Sequence, residues 1–304
     1  MKLEDRFCTL CGPTSAKSVK YVSNFSENDL NAAIFSARRA PDKRHFRLVE
    51  CETCGLIYSD PAANSADLAT LYKEAGVTYD DQEAQIYDSY APVLDRAMRK
   101  LKKRATFLEI GGGRGFMLRY GVENGFASEV EIEPSADAEK KFVPASPQSR
   151  FIRGIFTRNT LAPSSVSLAC FFQMLDHVPG PSEFLENVFE VLEPGGVAVC
   201  VTHDTGAFSA KVLGERSPIF DIEHTYLFNQ HNLSSLFTKT GFEQVTAFSV
   251  PNRYSLNYWM HLFPLPRNLK GVALSALRAL RLADRRLNLY AGNFAVIAVK
   301  PGRS

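Results

Sequence analysis

The chemistry in this 304-residue chain is carried most plainly by Leu108-Glu109-Ile110-Gly111-Gly112-Gly113-Arg114-Gly115-Phe116. Glycine at Gly111, Gly113 and Gly115 permits positive φ and lets a ligand lie against bare backbone. A dinucleotide fingerprint spaces its glycines G-x-G-x-x-G and sets phosphate on a helix N-terminus. Here the spacing is E-x-G-x-G-x-G, and Glu109 precedes the turn. Its carboxylate would repel pyrophosphate but suits a cationic amino group, so the implied ligand is an adenosine carrying an amino acid. Some twenty residues on, Glu133 follows an apolar-acidic run (Ser128 to Ile132), where a carboxylate can accept from both ribose hydroxyls.

Four of the six cysteines form two C-x-x-C pairs, Cys8/Cys11 and Cys51/Cys54, each followed by glycine. Two such knuckles supply the four soft ligands of a closed, structural zinc site. The alternative is a pair of redox or disulfide motifs. Cys170 and Cys200 sit in apolar runs and read as reduced core thiols. Between the knuckles lies a basic run, Arg38 to Arg47, either a solvated loop or a surface that grips phosphate.

These groups need elements to hold them. Ala105–Ile110 reads as a buried strand, Phe116–Asn124 as a helix and Ser128–Ile132 as a second strand. Val166–Phe172 is another strand, Pro181–Leu192 an amphipathic helix, and Val197–Thr202 a strand after the Glu193-Pro194-Gly195-Gly196 turn. Leu233–Thr240 (helix), Phe242–Val250 and Asn293–Val299 (strands) close the pattern. Alternating strands and helices predict an α/β doubly wound sheet with ligands at the strand C-termini. With 45% apolar residues the chain can fill a large core. A net charge of +2 argues against a nucleic-acid partner. No apolar run is long enough to span a bilayer, and the start of the chain lacks a signal-like segment, so the expected location is cytoplasmic.

Glycine turn, ribose acid and the series "strand, H-V-x-x-P, helix, L-x-P-G-G, strand" together resemble the class I S-adenosylmethionine-dependent methyltransferases. The resemblance implies a Rossmann-like sheet with an antiparallel last strand, preceded here by a zinc ribbon-like module. It divides the chain into a zinc-binding module (1–62), linker helices (63–104) and a methyltransferase domain (105–304) with a helical insertion at 251–292. It implies donor contacts from Glu109, Gly111, Gly113, Gly115 and Glu133, with Phe156 bordering adenine and Gln173 meeting the methionine moiety.

A closer resemblance rests on the paired knuckles, a C-G-L-x-x-x-x-P exit, an L-Y helix and a downstream E-H-x-x-x-F segment. It is to the C-methyltransferases of nucleotide-linked sugars and to methyltransferases of glycan clusters. Carried over, it implies an acceptor site lined by His177, Glu223 and His224, with His224 as general base oriented by Glu223. It also implies a tyrosine that corresponds best to Tyr79, with Tyr72 and Tyr87 as competitors. Asp221 stands where that family has tyrosine, and there is no room for its second Rossmann-like domain. Instead, Asn268–Leu289 reads as a basic amphipathic helix, for packing or for a membrane surface. Two other readings are weighed. An RNA methyltransferase would use the basic run for phosphate, but lacks an N-P-P-Y-like tetrad. A non-catalytic scaffold would have no need of an intact donor site.

Overall fold

Buried parallel strands read as near-continuous apolar runs because both faces are covered, and Val166–Phe172 (V-S-L-A-C-F-F) is buried over all but its last residue. It lies at the centre of a seven-stranded sheet in a computed structural model that describes residues 2–25, 44–74, 83–262 and 266–302. The strands are β1 (Thr106–Ile110), β2 (Ser128–Glu133), β3 (Arg150–Arg153), β4 (Val166–Phe172), β5 (Leu192–His203), β6 (Glu243–Ser255) and β7 (Arg286–Val299). Their order is β6-β7-β5-β4-β1-β2-β3. β7 runs antiparallel to both β5 and β6, while β1 to β5 are mutually parallel.

Period-two alternation sends successive side chains to opposite faces. Leu108, Ile110, Val130, Ile132, Ala169 and Phe171 pack on one side with α5 (Pro181–Val191) and α7 (Gln230–Lys239). Phe107, Leu168, Cys170 and Val199 pack on the other, under α2 (Glu83–Met98) through its Tyr90, Val93, Leu94 and Ala97. Local rules start the helices. Pro181 occupies the first turn of α5, Asn229 and Asn232 form a reciprocal cap on α7, and Ser135 accepts from Ala138 N at the start of α4 (Ala136–Lys141).

The N-terminal module is an antiparallel sheet of Lys17–Tyr21, Leu48–Cys51 and Ile57–Ser59, completed from far away. Tyr226–Leu227, just after the Glu223-His224 pair, is its fourth strand, with Tyr226 opposite Tyr58. The module's Leu10, Val49 and Tyr58 share a core with Ile110, Phe171 and Phe237. Arg6 donates to Pro179 O (3.0 Å) and Ala63 O (2.7 Å), pinning the module to the loop after β4. In the stretch 63–104, α1 (Ser65–Glu74), capped by Asn64 on Asp67 N, buries Leu68 against Phe46 and Ile222.

The basic helix expected over Asn268–Leu289 is corrected. The helix α9 (Arg267–Ala279) stops early, because Arg281 turns into the left-handed region (φ 54°). From Arg286 the chain is strand β7, with Leu287 and Leu289 opposite Tyr254 and Asn252 of β6. The expected 251–292 insertion therefore shrinks to the stretch between the strands, residues 256–285, which holds α8 (Leu256–Leu262) and α9.

Candidate functional site

The turn after β1 is shaped from beneath by three carboxyls. Glu109 Oε2 accepts from Met117 N (2.9 Å), Glu131 Oε1 from Gly112 N (2.9 Å) and Glu133 Oε2 from Gly113 N (3.2 Å). Amides that meet phosphate in a nucleotide fold are thus already occupied, by groups that would repel an anion. The glycines are required. Gly111 has φ +71° and a Cβ there would lie 2.6 Å from Met174 Cγ, while one on Gly112 would lie 2.2 Å from Glu109 Cδ. Gly113 and Gly115 also have positive φ, 63° and 83°.

The three acids differ in exposure. Glu109 is 2% exposed and faces the underside of the turn. Burial pushes its carboxyl up to about 8, despite the Met117 amide, and pushes Glu131 well above the usual range. The pair therefore retains a proton at neutral pH. Glu131 was not anticipated, although the alternation Glu129, Glu131, Glu133 along β2 marks one face of a strand. Glu133, at the end of β2, accepts from Ser135 N as well (3.0 Å) and is less buried. Burial raises its pKa against the two amides.

Gln173 follows β4 in the left-handed region (φ 51°), a strained position for a side-chain-bearing residue. Its Nε2 donates to Tyr90 OH (3.3 Å), and its buried Oε1 has no hydrogen-bond partner among the described residues. Phe156 lies in the core, 6% exposed and edge-on to Phe184 at 5.6 Å. Bare glycine backbone, an acid at the mouth and an orphaned amide oxygen at the strand ends fit a nucleoside with an amino-acid tail.

Beyond β4, a short turn (Leu175–His177), the end of β5 (His203) and the segment 217–228 bring three imidazoles around one buried carboxylate. His203 Nδ1 donates to Asp176 Oδ2 (2.8 Å). His224 Nε2 lies 3.7 Å from the same oxygen and His177 Nε2 3.8 Å from Oδ1. The rings of His177 and His224 sit edge to face at 4.9 Å. His224 Nδ1 donates to Ile219 O (2.7 Å), so the neutral ring carries its lone pair on Nε2. Ile219 thus holds the neutral ring, and Glu223, to which the sequence reading gives the orienting part, is buried next to it in the chain. Burial depresses both pKa values, that of His177 to about 4, although Asp176 pulls the other way. Asp176 lies well below the carboxylate range. Its own burial opposes that, but His224, His177 and His203 outweigh it.

Tyr79 lies outside the described residues. Tyr72 OH, on α1, is 3.1 Å from His177 Nδ1, while Tyr87 is bonded to Glu123 away from the cluster. Burial, then the charges of Glu223, Asp176, Asp221 and Glu133, raise the Tyr72 pKa well above its usual value, so it remains a neutral phenol. Asp176 and His203, the centre of the arrangement, were missed because neither stands in a motif.

A methyltransferase-domain family model matches residues 82–247, more than half of the chain. The chain belongs to the methyltransferase domain family. An uncharacterized methyltransferase of Mycobacterium sp. (strain KMS) is 27% identical over 170 residues, 56% of this chain and 61% of the relative. Counterparts in strains JLS and MCS match equally. The chain thus spans about six tenths of the length of the curated relatives it matches. A chain of the complex between the Haloferax volcanii Trm112 methyltransferase activator and a methyltransferase superposes with TM-score 0.51 and 16% identity, over 73% of this chain and 95% of that one. The sheet order and the antiparallel last strand are those of the class I methyltransferase fold.

This methyltransferase-family chain also gathers its four paired cysteines. The sulfurs of Cys8, Cys11, Cys51 and Cys54 all lie within 4.8 Å of one another, Cys8 and Cys54 at 3.5 Å. The knuckles match, with Gly12 N and Gly55 N each donating to the carbonyl of the first cysteine at 2.8 Å. Such a donor set fits one tetrahedral zinc ion. Asp176, His177 and His224 form a second set of ligand type. The described end of the basic run is structural. His45 and Phe46 are buried, and Arg47 pairs with Asp60 at 3.1 Å. Residues 26–43, including Arg38 to Lys43, lie outside the described residues.

Proposed function

We propose that the protein transfers a methyl group from S-adenosylmethionine to a small polar acceptor, an activated sugar or glycan, held at the Asp176 cluster. One observation carries this reading. The glycine turn is held from beneath by carboxyls, with Gly113 N on Glu133 at the end of β2, and beyond the end of β4 a buried aspartate is ringed by three imidazoles, one of them bonded to Tyr72. Glu133 would take the ribose hydroxyls, Gln173 the methionine moiety, and Glu109 with the three glycines would shape the turn. When bound, the donor supplies an already electrophilic methyl, so the chain's task is alignment and proton removal. His224 Nε2, unprotonated and held by Ile219, takes the acceptor's C–H or O–H proton. The resulting imidazolium faces ionised Asp176. His177, bonded to Tyr72, is the alternative base. Glu223 lines the same wall. The choice of sugar acceptor rests on the resemblance of His177, Glu223 and His224 to the sugar C-methyltransferases. A zinc ion on the four cysteines would be structural, leaving no position for water.

The test is mass spectrometry of a nucleotide-sugar and glycan panel incubated with protein and donor. A gain of one methyl that His224→Ala abolishes supports the reading; methylation of RNA alone would replace it.

A further inference from the structure

β7 pairs with β5 only as far as Asn293 opposite His203. Its pairing with β6 continues through Asn252–Leu289 to Ser255–Arg286. Beyond the sheet these strands form a two-stranded ribbon, which leaves from the edge where the parallel strands end and where His203 meets Asp176. α2 ties down the ribbon, through Arg253 N on Ser89 Oγ (3.1 Å) and an Arg286–Asp88 ion pair. At the tip, Trp259 packs edge-on to Tyr254 at 5.5 Å and donates Nε1–H to Leu287 O.

The tip is unusual in two ways at once. Leu274 of α9 is turned inward at 9% exposure, but Leu269, Val272 and Leu280 face solvent at 54, 69 and 67%. With Ala276 they make one stripe along the helix, at i, i+3, i+7 and i+11. On the ribbon, Leu289 and Tyr290 are exposed as well. Charge is the second peculiarity. Residues 256–290 hold six lysines and arginines and a single acid, Asp284. A second copy of this chain docking on the stripe would bring the same positive charge against itself, which argues against a dimer through this face. An anionic lipid surface answers both features. Its headgroups pair with cations whose stems lie along apolar surface, its acyl boundary takes the leucines, and tyrosine and tryptophan favour that depth. Among the described residues no helix is long and apolar enough to cross a membrane, so contact would be peripheral.

We propose that the cap formed by α8, α9 and the end of the ribbon (residues 256–262 and 266–290) docks on anionic membrane surface, turning the strand-end edge of the sheet toward the lipid. This does not depend on the methyl-transfer reading. The chain's single tryptophan, Trp259, lies in the cap and reports docking directly. The full-length protein is mixed with phosphatidylcholine vesicles, with or without 30% phosphatidylglycerol, and followed by Trp259 emission and co-sedimentation. The expected result is a blue shift and at least tenfold tighter binding on anionic vesicles, weakened at high salt. Val272→Glu with Leu280→Glu, and separately Arg278→Ser with Arg281→Ser, should each reduce binding about tenfold while the melting temperature holds. Equal, salt-insensitive binding to both vesicle types, no binding at all, or binding that both variants keep would overturn the proposal. So would a concentration-dependent dimer that Val272→Glu with Leu280→Glu disrupts while vesicles have no effect.

Discussion

Replacing Glu133 with alanine should weaken donor binding tenfold to more than a hundredfold. Its two carboxylate oxygens each accept one amide, Gly113 N at 3.2 Å and Ser135 N at 3.0 Å, so each keeps lone-pair capacity for a ribose hydroxyl. Losing hydrogen bonds to a charged group costs about 1.5–3 kcal/mol, and about 1.4 kcal/mol is a factor of ten in affinity. Calorimetry with S-adenosylmethionine or S-adenosylhomocysteine measures the change directly. Glutamine separates the causes. It can still accept one amide, so Glu133→Gln should melt closer to the wild type than Glu133→Ala, yet bind the donor less tightly than the wild type. Because burial raises the Glu133 pKa, wild-type affinity should fall on acidification at a higher pH than an exposed glutamate would dictate. Protonation removes acceptor capacity as pH drops through that value. Donor affinity unchanged in Glu133→Ala, with the fold intact, would refute the ribose assignment.

Protein purified without added metal should contain about one equivalent of zinc, and Cys51→Ser should lose it. A metal-free protein that melts normally would contradict the structural role, while a second equivalent lost in Asp176→Asn would make His224 a ligand rather than a base. For His224→Ala, turnover should drop by about 10²–10⁴-fold with donor affinity nearly unchanged, and near-normal turnover would move the base elsewhere. His177 links stability to pH. Its folded pKa, about 4, lies below the unfolded value, so in that window the unfolded chain binds a proton that the folded chain refuses. Its contribution is therefore complete above pH ~6.5 and is lost as pH falls toward 4, a change on the order of 3 kcal/mol at most. Denaturant titrations of zinc-loaded protein should show a steeper acid decline for the wild type than for His177→Gln; parallel declines would count against a buried neutral ring.

The sheet was legible because parallel strands leave apolar runs and the turns between them carry glycine and proline. Val166–Phe172 coincides with β4 residue for residue, and four cysteines with metal-ligand spacing do converge. What escaped were contacts that no local pattern encodes. Asp176 is one acid among thirty-three Asp and Glu until the fold sets His203 and His224 against it. That Tyr72 reaches His177 was not legible in the sequence, since the packing of Leu68 on α1 brings it there, while Tyr79, the position the resemblance favours, lies outside the described residues. The basic stretch after Asn268 misled for another reason. Leucines and arginines suit an amphipathic helix and a strand alike, and pairing with β6 decides for strand from Arg286 onward.

The pairing of Tyr226–Leu227 with Ile57–Ser59 also sets an order of events during synthesis. The knuckles and their three local strands emerge from the ribosome early and can close around metal at once. Their last strand is made only after β5, so Ile57–Ser59 waits as a bare edge throughout that interval. Unpaired edges invite wrong partners. A shortened gene product ending before residue 226, or an excised 1–62 fragment, would expose this edge permanently and should aggregate even with its metal bound. Removing the first 62 residues would have a different cost. The loop that carries His224 would lose the strand against which it is laid, although every strand of the seven-stranded sheet would still be present.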